Sequence, residues 1–133
     1  MPARSSFDYA IVRVVPRVER GEFVNAGVIL FCRTRRFLCA RVELDAGRLA
    51  ALAPWLDLDE IERHLALIPL VAAGDAAGGP IALLPQAERF HWLVAPRSAM
   101  IQTSPVHSGI CTDPAAAIED LLDRLVRPSQ APA

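Results

Sequence analysis

The residues best suited to chemistry lie between Arg97 and Gly109, a stretch holding one arginine, several hydroxyls and one histidine. A serine nucleophile needs its Oγ within hydrogen-bond reach of an imidazole that a third group orients. Ser104 or Ser108 with His107 and Asp113 supplies those types, but neither serine sits in a Gly-x-Ser-x-Gly elbow. Two other readings compete with catalysis. One is a turn in which Ser and Thr bond their own backbone. The other is an anion- or partner-binding surface built from Arg97, Gln102, Ser104 and His107.

A second candidate is the loop from Arg17 to Asn25. Arg17, Glu19, Arg20 and Glu22 alternate in sign, as solvated ion pairs do and as a docking loop also does. Asn25 stands at the entry of an otherwise apolar run, where it either bonds a turn amide or lines a pocket. Arg33, Arg35 and Arg36 form a basic tip that reads as an edge guard or a phosphate contact. Glu60 and His64 are four residues apart, and two groups are too few for a metal site. All fourteen basic residues are Arg, so chemistry that needs a Schiff-base or P-loop lysine is excluded. No cofactor is implied.

These residues must be positioned by a fold, and hydrophobic periodicity outlines it. Residues 7–16, 24–32 and 36–44 are rich in β-branched and aromatic types and read as an antiparallel meander. The middle run is apolar on both sides after Asn25, as in a central strand covered on both faces or one deep in a sheet. A turn near Thr34-Arg35 sets Cys32 opposite Phe37 and Cys39 opposite Leu30, a diagonal arrangement unsuited to a disulfide. Asp45 caps a short helix to about Ala53. Asp57 and Glu60 open another, with Leu58, Ile61, Leu65 and Ile68 on one stripe, and Pro69 should end or kink it. Residues 74–80 read as a flexible loop. Residues 85–95 start a helix with Trp92 and Leu93 packed inward. A short strand near Met100–Thr103 precedes a turn-rich segment, and Asp113-Pro114 opens a helix to about Arg127. The tail 128–133 reads as frayed. The fold class is therefore α+β: a small antiparallel sheet, the meander plus a later strand, with helices on one face, in one domain spanning 1–133 with an ordered core at 7–127.

Composition bounds the function. The chain has 133 residues and a formal net charge of −1, which argues against a nucleic-acid coat or a polybasic membrane binder. No apolar run approaches a membrane span and residues 1–6 lack an apolar signal core, so a cytoplasmic protein is expected. With 22 Ala and 11 Pro the usage suits a GC-rich bacterial genome.

Two blocks carry a family resemblance: Tyr9–Cys32 (YAIVRVVPRVERGEFVNAGVILFC), and Glu88–Ser98 (ERFHWLVAPRS) continuing to Ile101–Gly109 (IQTSPVHSG). Together they resemble the bacterial domain-of-unknown-function family 3037, over roughly residues 7–127. The resemblance transfers no catalytic residues. It implies a small bacterial protein often encoded beside a HipA-like kinase, and hence an accessory or regulator of that kinase. The Gly/Ala-rich loop at 74–79 departs from the family pattern without touching a candidate site.

The expected function is a non-enzymatic module docking a protein partner through the Arg17–Asn25 loop and the Arg97–Gly109 segment. The competing class is a small-ligand or nucleotide-binding enzyme using Arg97 and His107. An enzyme would hold His107 in a closed pocket beside a carboxylate or hydroxyl; a docking module would set these residues on an open rim beside an apolar patch. Exposed sheet edges leave room for a homodimer.

Overall fold

The computed structural model describes residues 3–97 and 99–128; the tail expected to fray lies, from residue 129 on, outside the described residues. Five strands and four helices follow in the order β1 (Ser5–Val14), β2 (Val24–Cys32), β3 (Phe37–Val42), α1 (Ala46–Leu52), α2 (Leu58–Ala73), α3 (Gln86–Val94), β4 (Ile101–Thr103), β5 (His107–Cys111) and α4 (Pro114–Leu125). All strand pairings are antiparallel. The sheet runs β3-β2-β1-β4, and β5 also pairs with β1, so the first strand is paired by three others. The fold is α+β.

Helices cover both faces of the sheet rather than one. Leu49 of α1, Ile61 and Leu65 of α2, and Phe90 and Leu93 of α3 pack with Val12, Ile29 and Phe31 on one side. Ile118, Leu121 and Leu122 of α4, with Val126 beyond its end, pack with Phe7, Val28 and Leu30 on the other. The cause is β2: its residues alternate between the two clusters, and apolar side chains on both faces must both be removed from water. Gly27 lets β2 and β3 approach, since a Cβ there would stand 2.6 Å from the Arg41 carbonyl oxygen. Leu30 pairs with Cys39 and Cys32 with Phe37, the register expected from the turn position. The turn itself is a 3-10 turn at Arg33–Arg35, closed by Arg36 in the left-handed region with φ 52°.

The helix starts follow their caps. Asp45, Asp57 and Asp113 accept from the backbone amides of Arg48, Glu60 and Ala115. Pro69 does not end α2. The helix continues to Ala73 because Val71 and Ala72 are buried, and Gly74, at φ 73°, donates to the Leu70 and Val71 carbonyls to close it. The 74–80 loop is built rather than loose: Asp75 caps a 3-10 turn at Ala76–Gly78, and a second follows at Pro80–Leu83. Trp92 does not pack inward with Leu93. It is 42% exposed, because Phe90 and Leu93 already occupy the buried side of α3.

An ion network fastens α4 to the end of β3. Arg127 reaches Glu43, Glu119 and Asp123, while Arg41 reaches Glu43 and Glu119. Hydrogen bonds from Arg127 hold both glutamate carboxyls below their usual range, with Arg41 adding to the effect.

Candidate functional site

The segment singled out for its hydroxyls turns out to be a broken edge strand. β4 pairs with Val12–Val14 and β5 with Ser5–Tyr9, and Ser104-Pro105-Val106 bridges the gap. The Ser104 amide donates to the Ile11 carbonyl at 2.8 Å, and the Ile11 amide donates to Ser104 Oγ at 2.8 Å. Ser104 is 2% exposed, and its hydroxyl in turn donates to the Pro105 carbonyl. The serine thus replaces a ladder acceptor where the strand breaks, so its donor and acceptor capacity is used by the backbone. What reads as turn-rich sequence is a strand on either side of that break.

Asn25 is committed through its donor, while its buried Oδ1 accepts no hydrogen bond from the described residues. Its Nδ2 donates to the Leu125 carbonyl at 2.9 Å, joining β2 to the last turn of α4. It lies where the β1–β2 register shifts, with Arg13 opposite Asn25 and Val12 opposite Gly27. Gln102 pairs with Arg13 across β4 and so shares the α4 side of the sheet; its Nε2 donates to the Ala99 carbonyl at 2.6 Å. His107 pairs with Tyr9 on that same side, ring centroids 5.4 Å apart. Asn25, Gln102 and His107 are therefore brought to one face by β1, together with Arg13, whose guanidinium lies 4.1 Å from the Phe23 ring centre.

Arg97 belongs to the opposite face. It lies 4.4 Å from the Trp92 ring centre and donates to the Trp92 carbonyl at 2.6 Å, beside Ile101, which packs against the α2–α3 side of the sheet. Arg97 and His107 do not converge. The first loop carries Glu19 and Arg20 in a 3-10 turn at Val18–Arg20, with Gly21 at φ 68° ending it. Arg20 pairs with Glu22, which raises the arginine and lowers the carboxyl from their ordinary values. Arg17 lines the same hollow as that pair and lies 4.9 Å from the Trp55 ring centre.

Both tryptophans of the chain are thus exposed, Trp55 by 57%, and each lies under an arginine of one of the two candidate segments. An apolar trough ends at Trp92, and a separate, more polar hollow lies at Trp55. The hollow at Trp55, about 300 Å³, is lined by Arg17, Arg20, Glu22 and Leu52; the trough opens with one of about 360 Å³ at Leu56, His64 and Met100. The latter shares His64 and Ile101 with a third of about 240 Å³ at Leu67, Trp92 and Arg97. Leu67 and Met100 stand exposed along it, and Asp57 and Glu60 rim one side. Sequence reasoning missed Trp55, Leu67 and Met100. The available signal was Trp55 immediately after Pro54, in a short connection between helices whose buried and half-buried positions are taken by Ala53 and Leu56.

The chemistry open to the cysteines is limited, since burial pushes the Cys39 and Cys111 thiols up and keeps them protonated at neutral pH. Among the described residues, no group of three or more His, Cys, Asp or Glu is placed to hold a metal ion. No described helix is long and apolar enough to cross a membrane.

Comparison with known families is decisive on kinship. A family model described as "Protein of unknown function (DUF3037)" matches residues 9–126. The chain belongs to the DUF3037 family. No curated protein and no solved structure matches this DUF3037 chain. The match takes in the trough, the hollow at Trp55 and both strands that pair with the outer edge of β1.

Proposed function

We propose that this protein is a cytoplasmic, bacterial, non-enzymatic binding module that docks a protein partner on the trough ending at Trp92 and the separate hollow at Trp55. The observation that carries the reading is the pairing of each exposed tryptophan with an arginine, Arg17 at Trp55 and Arg97 at Trp92. Tryptophan and arginine are the side chains that most often dominate binding energy at protein interfaces, because they combine large apolar area with directed charge. The chemistry fits a segment with apolar side chains at its centre and carboxylates near both ends, which the arginine forks would take up. The family resemblance nominates a HipA-like kinase as the partner. The enzyme alternative loses support, since Arg97 and His107 face opposite sides of the sheet.

The test is calorimetric titration of the purified protein against the HipA-like kinase of the same genome. A stoichiometric complex, weakened at least about tenfold by Trp92→Ala or Arg97→Ala in proteins that still melt normally, supports the reading. Absence of binding, or affinity indifferent to both substitutions and to Trp55→Ala, overturns it.

A further inference from the structure

We propose that β5 pairs with the β5 strand of a second copy of this chain, antiparallel, about a two-fold axis at Gly109. This surface is separate from the trough, on the far edge of β1.

The polar groups of β5 set the register. Ser104 donates to the Ile11 carbonyl, and the Val15 amide donates to the Met100 carbonyl at 2.6 Å, so odd-numbered residues of β1 turn their amides and carbonyls toward β4 and β5. By strand alternation Tyr9, Phe7 and Ser5 do the same, and they stand opposite His107, Gly109 and Cys111. Ser108 and Ile110 therefore turn their own amides and carbonyls outward, away from the sheet. They lie one residue to either side of Gly109, so an antiparallel copy centred there sets Ser108 against Ile110 twice and returns all four outward groups.

The side chains favour the same occupant. Ile110 is 69% exposed and Val106 45%, both on this edge. In the symmetric register the two Ile110 side chains are diagonal neighbours and Gly109 meets Gly109, so apolar area is covered and nothing bulky collides. Sheet edges that must stay free are usually guarded by charge. From Ala99 to Thr112 there is no Asp, Glu, Lys or Arg, so the edge strand itself brings no charge to the contact, and the nearby Asp8 carboxylate, one strand inward, is taken up by the Ser108 hydroxyl. The opposite edge, β3, carries Arg41 and is followed by Glu43.

A five-residue pairing covers limited area, so the dimer should dissociate on dilution. The experiment is sedimentation velocity over a concentration series for the wild type and Ile110→Lys, with hydrogen exchange read at Ser108 and Ile110. Expected are a concentration-dependent dimer, amides at 108 and 110 that gain protection as it forms, and a folded, monomeric Ile110→Lys. A wild type that stays monomeric throughout overturns the proposal. So does a dimer whose Ser108 and Ile110 amides exchange as freely as in the monomer, a readout that holds even if the variant fails to fold.

Discussion

Arg127 closes on Glu43 as a two-bond fork, Nε to Oε1 at 2.8 Å and Nη2 to Oε2 at 2.7 Å, across 84 residues of sequence. The end of α4 and the exit of β3 are thereby one electrostatic unit, with Glu119 and Asp123 bonded to the same guanidinium. Its remaining nitrogen, Nη1, serves those two carboxylates, so four of the five guanidinium N–H donors are engaged.

This network predicts acid sensitivity. The carboxyls of Glu43 and Glu119 lie below the ordinary value of 4.5 in the folded protein, chiefly through their hydrogen bonds from Arg127. The native state therefore binds fewer protons than the unfolded chain near that pH. The stabilisation is complete above about 4.5 and is lost as pH falls through the lower folded values. Thermal melts from neutral to acid pH should show a falling Tm in the wild type. In Arg127→Met, which keeps much of the stem but not the fork, the fall should be shallower because the contribution is already gone.

Ser104→Ala should be costly despite its small volume change. It strands the Ile11 amide inside the sheet without its Oγ acceptor, a loss of about 1–3 kcal/mol. Urea unfolding should show a lower midpoint with an unchanged m-value. A variant as stable as the wild type would mean that the broken strand needs no substitute acceptor.

Arg36→Gly should stabilise. Arg36 is the one described non-glycine residue with positive φ, and an L side chain there is strained. The contact its backbone makes, the carbonyl accepting from Gln86 Nε2 at 2.8 Å, is kept by glycine. After the entropy that glycine adds to the unfolded chain, a gain of about 0.5–1 kcal/mol remains, readable as a raised urea midpoint.

Local chemistry made much of this fold legible in advance. Asp57 and Asp113 announce their helices, and the hairpin register at Leu30 and Cys39 follows from counting outward from the turn. The two-sided apolar run of β2 already admitted cover on both faces, although one face was expected to suffice. β5 was not legible, because His107-Ser108-Gly109 has turn composition and its pairing comes from β1, about a hundred residues earlier. Of the two outcomes expected at Pro69, an end or a kink, the end fails for a similar reason: the burial of Val71 and Ala72 that carries α2 past it is tertiary.

The candidate site was legible only in its arginines. Arg17 and Arg97 were singled out by type, but their meaning comes from Trp55 and Trp92, which sequence reasoning passed over or placed in the core. Ser104 and Asn25 look reactive in sequence because both are polar groups at strand ends. In the fold those same groups meet backbone that would otherwise lack a partner.

The central place of β1 also dictates an order of events during synthesis. This strand leaves the ribosome before every strand that pairs with it, yet its outer edge is completed only by residues such as Ser104, 93 positions after Ile11. Until then β2 can pair one side while the other stays open to any neighbouring nascent chain. Translational pausing before β4 would prolong that exposure, whereas pausing after α4 would not.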